Sequence, residues 1–421
     1  MNEHLLQYLW NYKVFTNFPF YDTDGNLVEI LDFGKWNKNS GPDFLFAKIK
    51  INDVTLAGNI ELHVKSSDWI FHQHEGNPEF ENLILHVVYQ DDIEIAEFKQ
   101  KNIPTLELKD YIDESLIGKY ASLCTENQFI PCEKIFTKSA IPFQFEEENL
   151  LRKLDEKSLE IESQLSKNNN DYEAVLFQNL AYAFGLKVNA EIFQQIAESL
   201  DFKIINKIKN NKTQLEALLY GVSSWLENPE DEEMKIWKRE FDFLKTKYQL
   251  NLHAFHPKFS RLRPPSFPTI RWSQLVDLYH KNASLFSKII DAKNTEELYA
   301  IFSKVKASEY WDNHFNFGKI SSVENEKIMT QDFIDLIIIN TILPLKYTYH
   351  KNFEENIAED ILKFYSNISA EKNTIISSWK NLGVKMSSSL ETQAYLYHYK
   401  NFCLKKDCLN CSIGFKLLQI N

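Results

Sequence analysis

The sequence predicts a two-part chain: an α/β or α+β unit over residues 1–115, a linker over 116–144, and a mainly α-helical domain over 145–421. Three observations lead there. A chain of 421 residues is longer than one core comfortably fills. The runs 44–51 and 54–65 alternate with period two on either side of Asn52-Asp53, a pair suited to a tight hairpin turn. From about residue 145 the apolar residues recur at spacings of three and four instead.

Taken in order, "NEHLLQYLWNYKVF" sets Leu5, Leu6, Leu9, Trp10 and Val14 on one face, so a helix comes first. The run "LVEILDFG" closes on Gly34 as a short strand, and the hairpin follows. "SSDWIFHQHEGNPEF" is too polar and irregular for a strand. "NLILHVVYQ" is a β-branched run that should be buried on both faces, and a last strand is expected around 103–108. Beyond 145, "EENLLRKLDEKSLEIESQL", "DYEAVLFQNLAYAFGL" and "TQLEALLYGVSSWL" read as helices. "HPKFSRLRPPSFPTIR" interrupts them, because Pro257, Pro264, Pro265 and Pro268 do not fit inside a regular helix.

Composition narrows the function classes. A net charge of -12 argues against a protein that coats nucleic acid through a general positive field, while leaving room for a local basic groove. No run approaches the length of a membrane span, and the amino terminus lacks a basic start followed by an apolar run, so a soluble cytoplasmic protein without a membrane partner is expected. Five unevenly placed cysteines do not form a disulfide framework and suit a reducing compartment.

The hairpin carries the chemistry. With a two-residue turn, Ile51 faces Val54 and Ala47 faces Gly58, which brings Asp43 level with Leu62, beside the Glu61 to His63 step. On the second strand Ile60, Leu62 and Val64 share a core face, and Asn59, Glu61, His63 and Lys65 share a polar one. Convergence of Asp43 on Glu61 then requires a bulge or a twist after Pro42. Two carboxylates at a hairpin end, with a basic group two residues on, suit a hard divalent cation and hydrolysis of a phosphodiester.

This order of elements, with Pro42-Asp43 opening one strand and Glu61-Leu62-His63 on the next, resembles the PD-(D/E)XK nuclease superfamily. The resemblance covers roughly the first quarter of the chain and implies a restriction-endonuclease-like fold, a Mg²⁺ or Mn²⁺ cofactor and a nucleic-acid substrate. It makes Asp43 and Glu61 metal ligands. His63 stands where lysine is usual, with Lys65 as a substitute two residues farther along. Because histidine titrates near neutrality, activity would depend more on pH. Over almost the full length, "NSGPDF", "GNIELHVKSSDWIFHQHEGNPEF", "LILHVV" and "RLRPPSFPTIR" together resemble a bacterial family of unknown function found mainly in Bacteroidota, from which no activity carries over.

Further residues carry alternatives. His72 and His74 could join Asp43 or Glu61 around a transition metal, or simply cap a loop; His86 reads as a core histidine. Cys403, Cys408 and Cys411 could hold three corners of a zinc or iron–sulfur site, with a fourth ligand from His398, Cys124 or Cys132, or be incidental buried thiols. Lys258, Arg261, Arg263 and Arg271, within the segment 253–272, present cations among Phe259, Phe267 and Trp272, as a nucleic-acid contact loop or an interdomain clasp of arginines on carboxylates. The expected function is a metal-dependent nuclease acting on DNA or RNA. Its rivals are a non-catalytic nucleic-acid-binding or scaffold protein that keeps the fold, and a His-ligated transition-metal hydrolase.

Overall fold

The computed structural model describes residues 1–37, 39–123, 128–250, 253–353 and 357–419. The chain divides into two compact units, one of residues 1–143 with 398–421 and one of 144–397. These bounds depart from the expected ones in two ways. The segment placed as a linker belongs to the first unit, where it forms a helix over Glu114–Leu123, and the last residues group with the sheet instead of with the helices.

Helix α1 (Glu3–Tyr12) opens the first unit. Asn2 Oδ1 caps it by accepting the Leu5 N–H at 2.8 Å, and Leu5, Leu6, Leu9 and Trp10 are buried as their spacing requires. The strands are β1 (Phe20–Tyr21), β2 (Leu27–Asp32), β3 (Lys35–Trp36), β4 (Phe44–Ile51), β5 (Val54–Lys65), β6 (Leu83–Gln90) and β7 (Thr105–Glu107). They form one mixed sheet in the order β1-β2-β4-β5-β6-β7, with β3 also paired to β4. The pairs β2/β4 and β4/β5 are antiparallel, and β5/β6 and β6/β7 are parallel. Helix α2 (Asp68–Phe71) lies in the crossover from β5 to β6, and α3 (Ala96–Lys101) in the crossover from β6 to β7.

The β4/β5 register is the one the turn dictates near Asn52, with Ile51 opposite Val54 and Ala47 opposite Gly58. It then shifts by one residue between Ala47 and Phe44, which pairs with Ile60. The extra residue is accommodated at Phe46, whose φ of 61° is uncommon outside glycine and whose N–H turns to Asn59 Oδ1 at 3.3 Å. Gly58 sits where β5 meets the start of β6; a Cβ there would lie 2.3 Å from the Asn82 carbonyl. Strand β6 is buried from Leu83 to Val88, as its composition requires.

The second unit is mainly helical. Its longest helix, Phe145–Lys167, and those at Tyr172–Phe184, Lys212–Val222 and Pro268–Lys281 contribute to one apolar core. The proline-rich stretch before Pro268 is irregular, turning at Arg261 (φ 62°) and forming a single 3-10 turn at Pro264–Ser266, and it is anchored where Asn189 exchanges two hydrogen bonds with the Lys258 backbone (2.7 and 2.8 Å). A small hairpin, His314–Asn316 with Lys319–Ile320, lies within this mainly helical part.

Candidate metal centre

The one-residue bulge sets Asp43 level with Glu61, and each carboxylate accepts a backbone N–H from the facing strand. The Asp43 N–H donates to Glu61 Oε2 at 3.0 Å, and the Leu62 N–H donates to Asp43 Oδ2 at 3.0 Å. Helix α1 adds Gln7, whose Nε2 donates to Asp43 Oδ1 at 2.7 Å, and one turn earlier Glu3. Among the described residues, neither Asp43 nor Glu61 is paired with a lysine or arginine. Burial drives both carboxyls well above the ordinary carboxylate range. The Asp43 charge raises Glu61 further, Glu3 adds to both, and the hydrogen bonds only partly oppose this.

The expected polar face of β5 is not solvated: Glu61 and His63 are both buried, because α2 and the loop after it fold over them. His72 is the C-cap of α2, and His74 follows two residues on. His63 Nε2 lies 3.2 Å from His72 Nδ1 and 3.7 Å from Glu61 Oε1, and His74 Nε2 lies 3.4 Å from the same Glu61 oxygen. His63, His72 and His74 each offer a nitrogen within 4.8 Å of the others, and they are the one such group among the described residues.

His86 completes the arrangement from the neighbouring strand. Its Nε2 is 2.9 Å from His63 Nδ1, and its own Nδ1 is buried without a hydrogen-bond partner. Burial, and then the charges of His86, His72 and His74, hold His63 far below the usual imidazole range; burial and His74 do the same to His86, so both rings are neutral at pH 7. If His63 keeps Nε2 unprotonated, its Nδ1–H donates to His86 Nε2, and the second proton of the pair sits on the orphaned His86 Nδ1.

Three imidazole nitrogens within 4.8 Å of one another fit a divalent ion, with a Glu61 oxygen beside two of them, at 3.7 Å from His63 and 3.4 Å from His74; neutral imidazole and carboxylate suit zinc, manganese or iron. Mg²⁺ is satisfied best by oxygen alone. The fit also accounts for two features that are otherwise unfavourable, the facing nitrogens and the acids buried without a cation.

The remaining expected residues fall elsewhere. Lys65 is exposed at the end of β5, with Nζ 3.9 Å from Asp92 Oδ2. Lys258, Arg261 and Arg263 are exposed in the second unit. Arg271 is not, contrary to expectation. Pro268 begins a helix whose phase turns Arg271 inward, where its guanidinium lies 3.7 Å from the Phe333 ring centre and donates to Gln274 Oε1 at 2.9 Å. Burial lowers it to about 10. None of the three arginines pairs with a carboxylate among the described residues, so the clasp of arginines on acids is not what holds this segment. Cys403, Cys408 and Cys411 are buried in the first unit; Cys124 lies outside the described residues.

Sequence reasoning missed Glu3, Gln7 and His86. The first two stand four apart on the polar side of α1, a spacing that places them on one face. His86 gave no such signal, because a histidine in an apolar strand has the same pattern whether it is packed or positioned.

The fold and site define a mixed-sheet domain with a buried histidine–carboxylate cluster, followed in sequence by a helical unit. A family model described as "Protein of unknown function (DUF2851)" matches residues 3–374, and the chain belongs to that family. No curated protein and no solved structure matches it. Among the described residues, no helix is long and apolar enough to cross a membrane.

Proposed function

We propose that this protein is a divalent-metal-dependent phosphodiesterase acting on nucleic acid, with a first unit of the restriction-endonuclease-like kind. The observation that carries the reading is the meeting of Asp43 and Glu61 at one end of β4 and β5, with His63 two residues beyond Glu61. The order α1, the antiparallel strands β2, β4 and β5, the crossover through α2, and the parallel strand β6 supports it.

Asp43, Glu61, His63, His72 and His74 would hold the ion, Mn²⁺ being the divalent ion that both the oxygen and the nitrogen donors suit. When bound, such an ion supplies local positive charge and polarises a phosphodiester. The chain does the rest. Gln7 and the Leu62 N–H fix the Asp43 carboxylate, and a His63 Nδ1–H donated to His86 leaves Nε2, which faces His72 and Glu61, as the atom that would ligate the ion. His63 therefore serves as a ligand and not as a protonated stand-in for lysine. Lys258, Arg261 and Arg263 lie exposed in the irregular segment that also carries Phe259 and Phe267, a combination that suits phosphate contacts and base stacking.

The test is cleavage of single- and double-stranded DNA and RNA by the full chain with Mn²⁺, Mg²⁺ or Zn²⁺, beside Asp43→Asn and Glu61→Gln. Cutting by the wild type that both variants lose supports the reading, and no cutting with any ion overturns it. The three-imidazole set favours one rival, a zinc hydrolase of a different substrate class. Zinc retained through chelator dialysis, in a protein that cleaves no nucleic acid, would identify that rival.

A further inference from the structure

We propose that the helical unit holds a phosphate-binding site at the amino-terminal end of the helix Pro268–Lys281, formed by Arg271, Ser266 and the backbone N–H groups of Thr269 and Ile270, and that its ligand is a phosphate monoester. This helix end is buried and uncapped. Pro268 has no N–H, and Phe267 at the N-cap offers no side-chain acceptor. The first N–H to find a partner is that of Arg271, which donates to the Phe267 carbonyl at 3.1 Å. Thr269 and Ile270 are fully buried, and among the described residues their N–H groups donate to no acceptor. The Thr269 hydroxyl is engaged elsewhere, donating to the Phe315 carbonyl at 2.9 Å. Two bare donors at the positive end of a helix dipole, shielded from water, require an acceptor.

Arg271 is the second, independent observation. Its side chain is only 8% exposed, and its guanidinium carbon stands 3.7 Å from the Phe333 ring centre. The hydrogen-bond partners it has are neutral: Nη1 donates to Gln274 Oε1 at 2.9 Å, and Nη2 lies 3.4 Å from Ser266 Oγ. Its Nε is buried without a partner. Burial acts on this cation with no acid opposing it. Ser266 immediately precedes the N-cap, so the guanidinium reaches back to the helix end, and two positive groups face one place. A packing role against Phe333 would need an apolar side chain of similar size and no charge. An anion at the helix end answers both the bare N–H groups and the unpaired guanidinium, whose fork of donors matches phosphate oxygens.

The approach to this point is cationic. Residues 253–272 contain no aspartate or glutamate in a chain of net charge -12, and Lys258, Arg261 and Arg263 are exposed. The turn is folded directly before the helix, with the Ser266 N–H on the Arg263 carbonyl at 2.8 Å and the Phe267 N–H on the Pro264 carbonyl at 3.0 Å. A buried helix end with one guanidinium admits a chain terminus more readily than a strand passing through. A terminal phosphate turns three free oxygens to one point, whereas an internal diester turns two and carries chain on both sides. The same monoester chemistry is offered by the end of an oligonucleotide and by free phosphate. The oligonucleotide source rests on the nucleic-acid reading above; the site itself does not.

The experiment is calorimetric titration of the full chain with inorganic phosphate in the presence of a chelator, so that no ion at the histidine centre holds the anion. Saturable binding is expected, with an upward thermal shift that sodium chloride of equal ionic strength does not give. Arg271→Met should weaken phosphate by more than about 30-fold and, without phosphate, melt no lower than wild type. Ser266→Ala should weaken it about ten-fold, and it decides together with the wild type if Arg271→Met does not fold. Asp43→Asn should bind phosphate as the wild type does, so loss of the nuclease reading leaves this site standing. Tighter binding of a single-stranded oligonucleotide with a terminal phosphate than of the same one without it identifies the nucleic-acid end as the source. Equal binding of the two, with inorganic phosphate bound, identifies free phosphate. No saturable phosphate binding, or binding that neither substitution weakens, overturns the proposal.

Discussion

Two buried acids, one in each unit, show how differently a carboxylate can be treated inside the same chain. Asp277, in the helical unit, meets Lys212 Nζ at 3.0 Å and Lys281 Nζ at 2.7 Å and accepts the Lys306 N–H at 3.0 Å. Burial works against its ionised form, yet the Lys281 and Lys306 hydrogen bonds and the Lys212 charge outweigh burial and hold it below the ordinary range. Glu61, in the sheet unit, is as thoroughly buried and has Asp43 and two neutral imidazoles where Asp277 has ammonium groups. The difference separates a residue placed for stability from one placed for something still to bind. A fold tolerates an uncompensated acid pair only where another requirement retains it.

The comparison breaks most visibly under substitution. Asp277→Ala removes the partner of two partly exposed lysines and leaves the Lys306 N–H unpaired, and should destabilise the helical unit by about 1–3 kcal/mol, read from denaturant unfolding. Asp43→Asn and Glu61→Gln should do the reverse in the metal-free protein, leaving stability unchanged or higher because repulsion is relieved. The same two variants should lower Mn²⁺ affinity by more than about 100-fold, read by calorimetric titration. Equal destabilisation at both places would make Asp43 and Glu61 ordinary structural acids.

Metal should then convert the strained site into one like Asp277. Raised carboxyls mean that the metal-free native state holds extra protons above the ordinary carboxylate range, so its stability falls as pH climbs from about 4 through the raised values. His63 and His86 have the opposite sign: lowered in the native state, they contribute stability above about pH 6.5 that is lost as pH falls. Mn²⁺ at about a hundred times its Kd should add about 2.7 kcal/mol. Its thermal shift should be larger near pH 8 than near pH 6, since fewer protons must leave the site. A shift independent of pH would place the ion elsewhere.

A smaller effect is expected one step away from the ion. His86→Phe keeps a buried ring but removes the acceptor for His63 Nδ1–H, so Mn²⁺ affinity should fall about 10- to 100-fold, with about 1–3 kcal/mol lost from folding. Unchanged affinity would return His86 to the role of a packed core histidine.

How far the sequence reached follows from the range of the contacts involved. Local contacts were legible: the Asn52-Asp53 turn fixed Ile51 opposite Val54, the change of period located the helical part, and the demand that Asp43 meet Glu61 called for a bulge, which lies at Phe46. Long-range contacts were not. The burial of Glu61 and His63 depends on α2 folding back, and the recruitment of Glu3 and Gln7 depends on where α1 docks. Arg271 was misplaced because one proline, Pro268, sets the phase of its helix. The carboxyl-terminal residues joined the sheet unit through packing that no local pattern encodes.

The least effect is expected at Lys65, and it bears directly on what replaces the lysine of the nuclease pattern. Lys65 shares the Glu61 and His63 side of β5 by alternation, which made it a candidate for the missing cation. Its side chain is 53% exposed, and its Nζ stands 3.9 Å from Asp92, an exposed pair of the kind worth at most about 1 kcal/mol. Two residues of strand displace it by about 6.6 Å from His63, too far to orient a group held by Glu61. Lys65→Ala should therefore leave Mn²⁺ affinity and any cleavage rate within about two-fold of wild type, whereas His63→Ala should abolish both. A large loss at Lys65 with a small one at His63 would reverse the assignment, making Lys65 the cation of the site and the three histidines its scaffold.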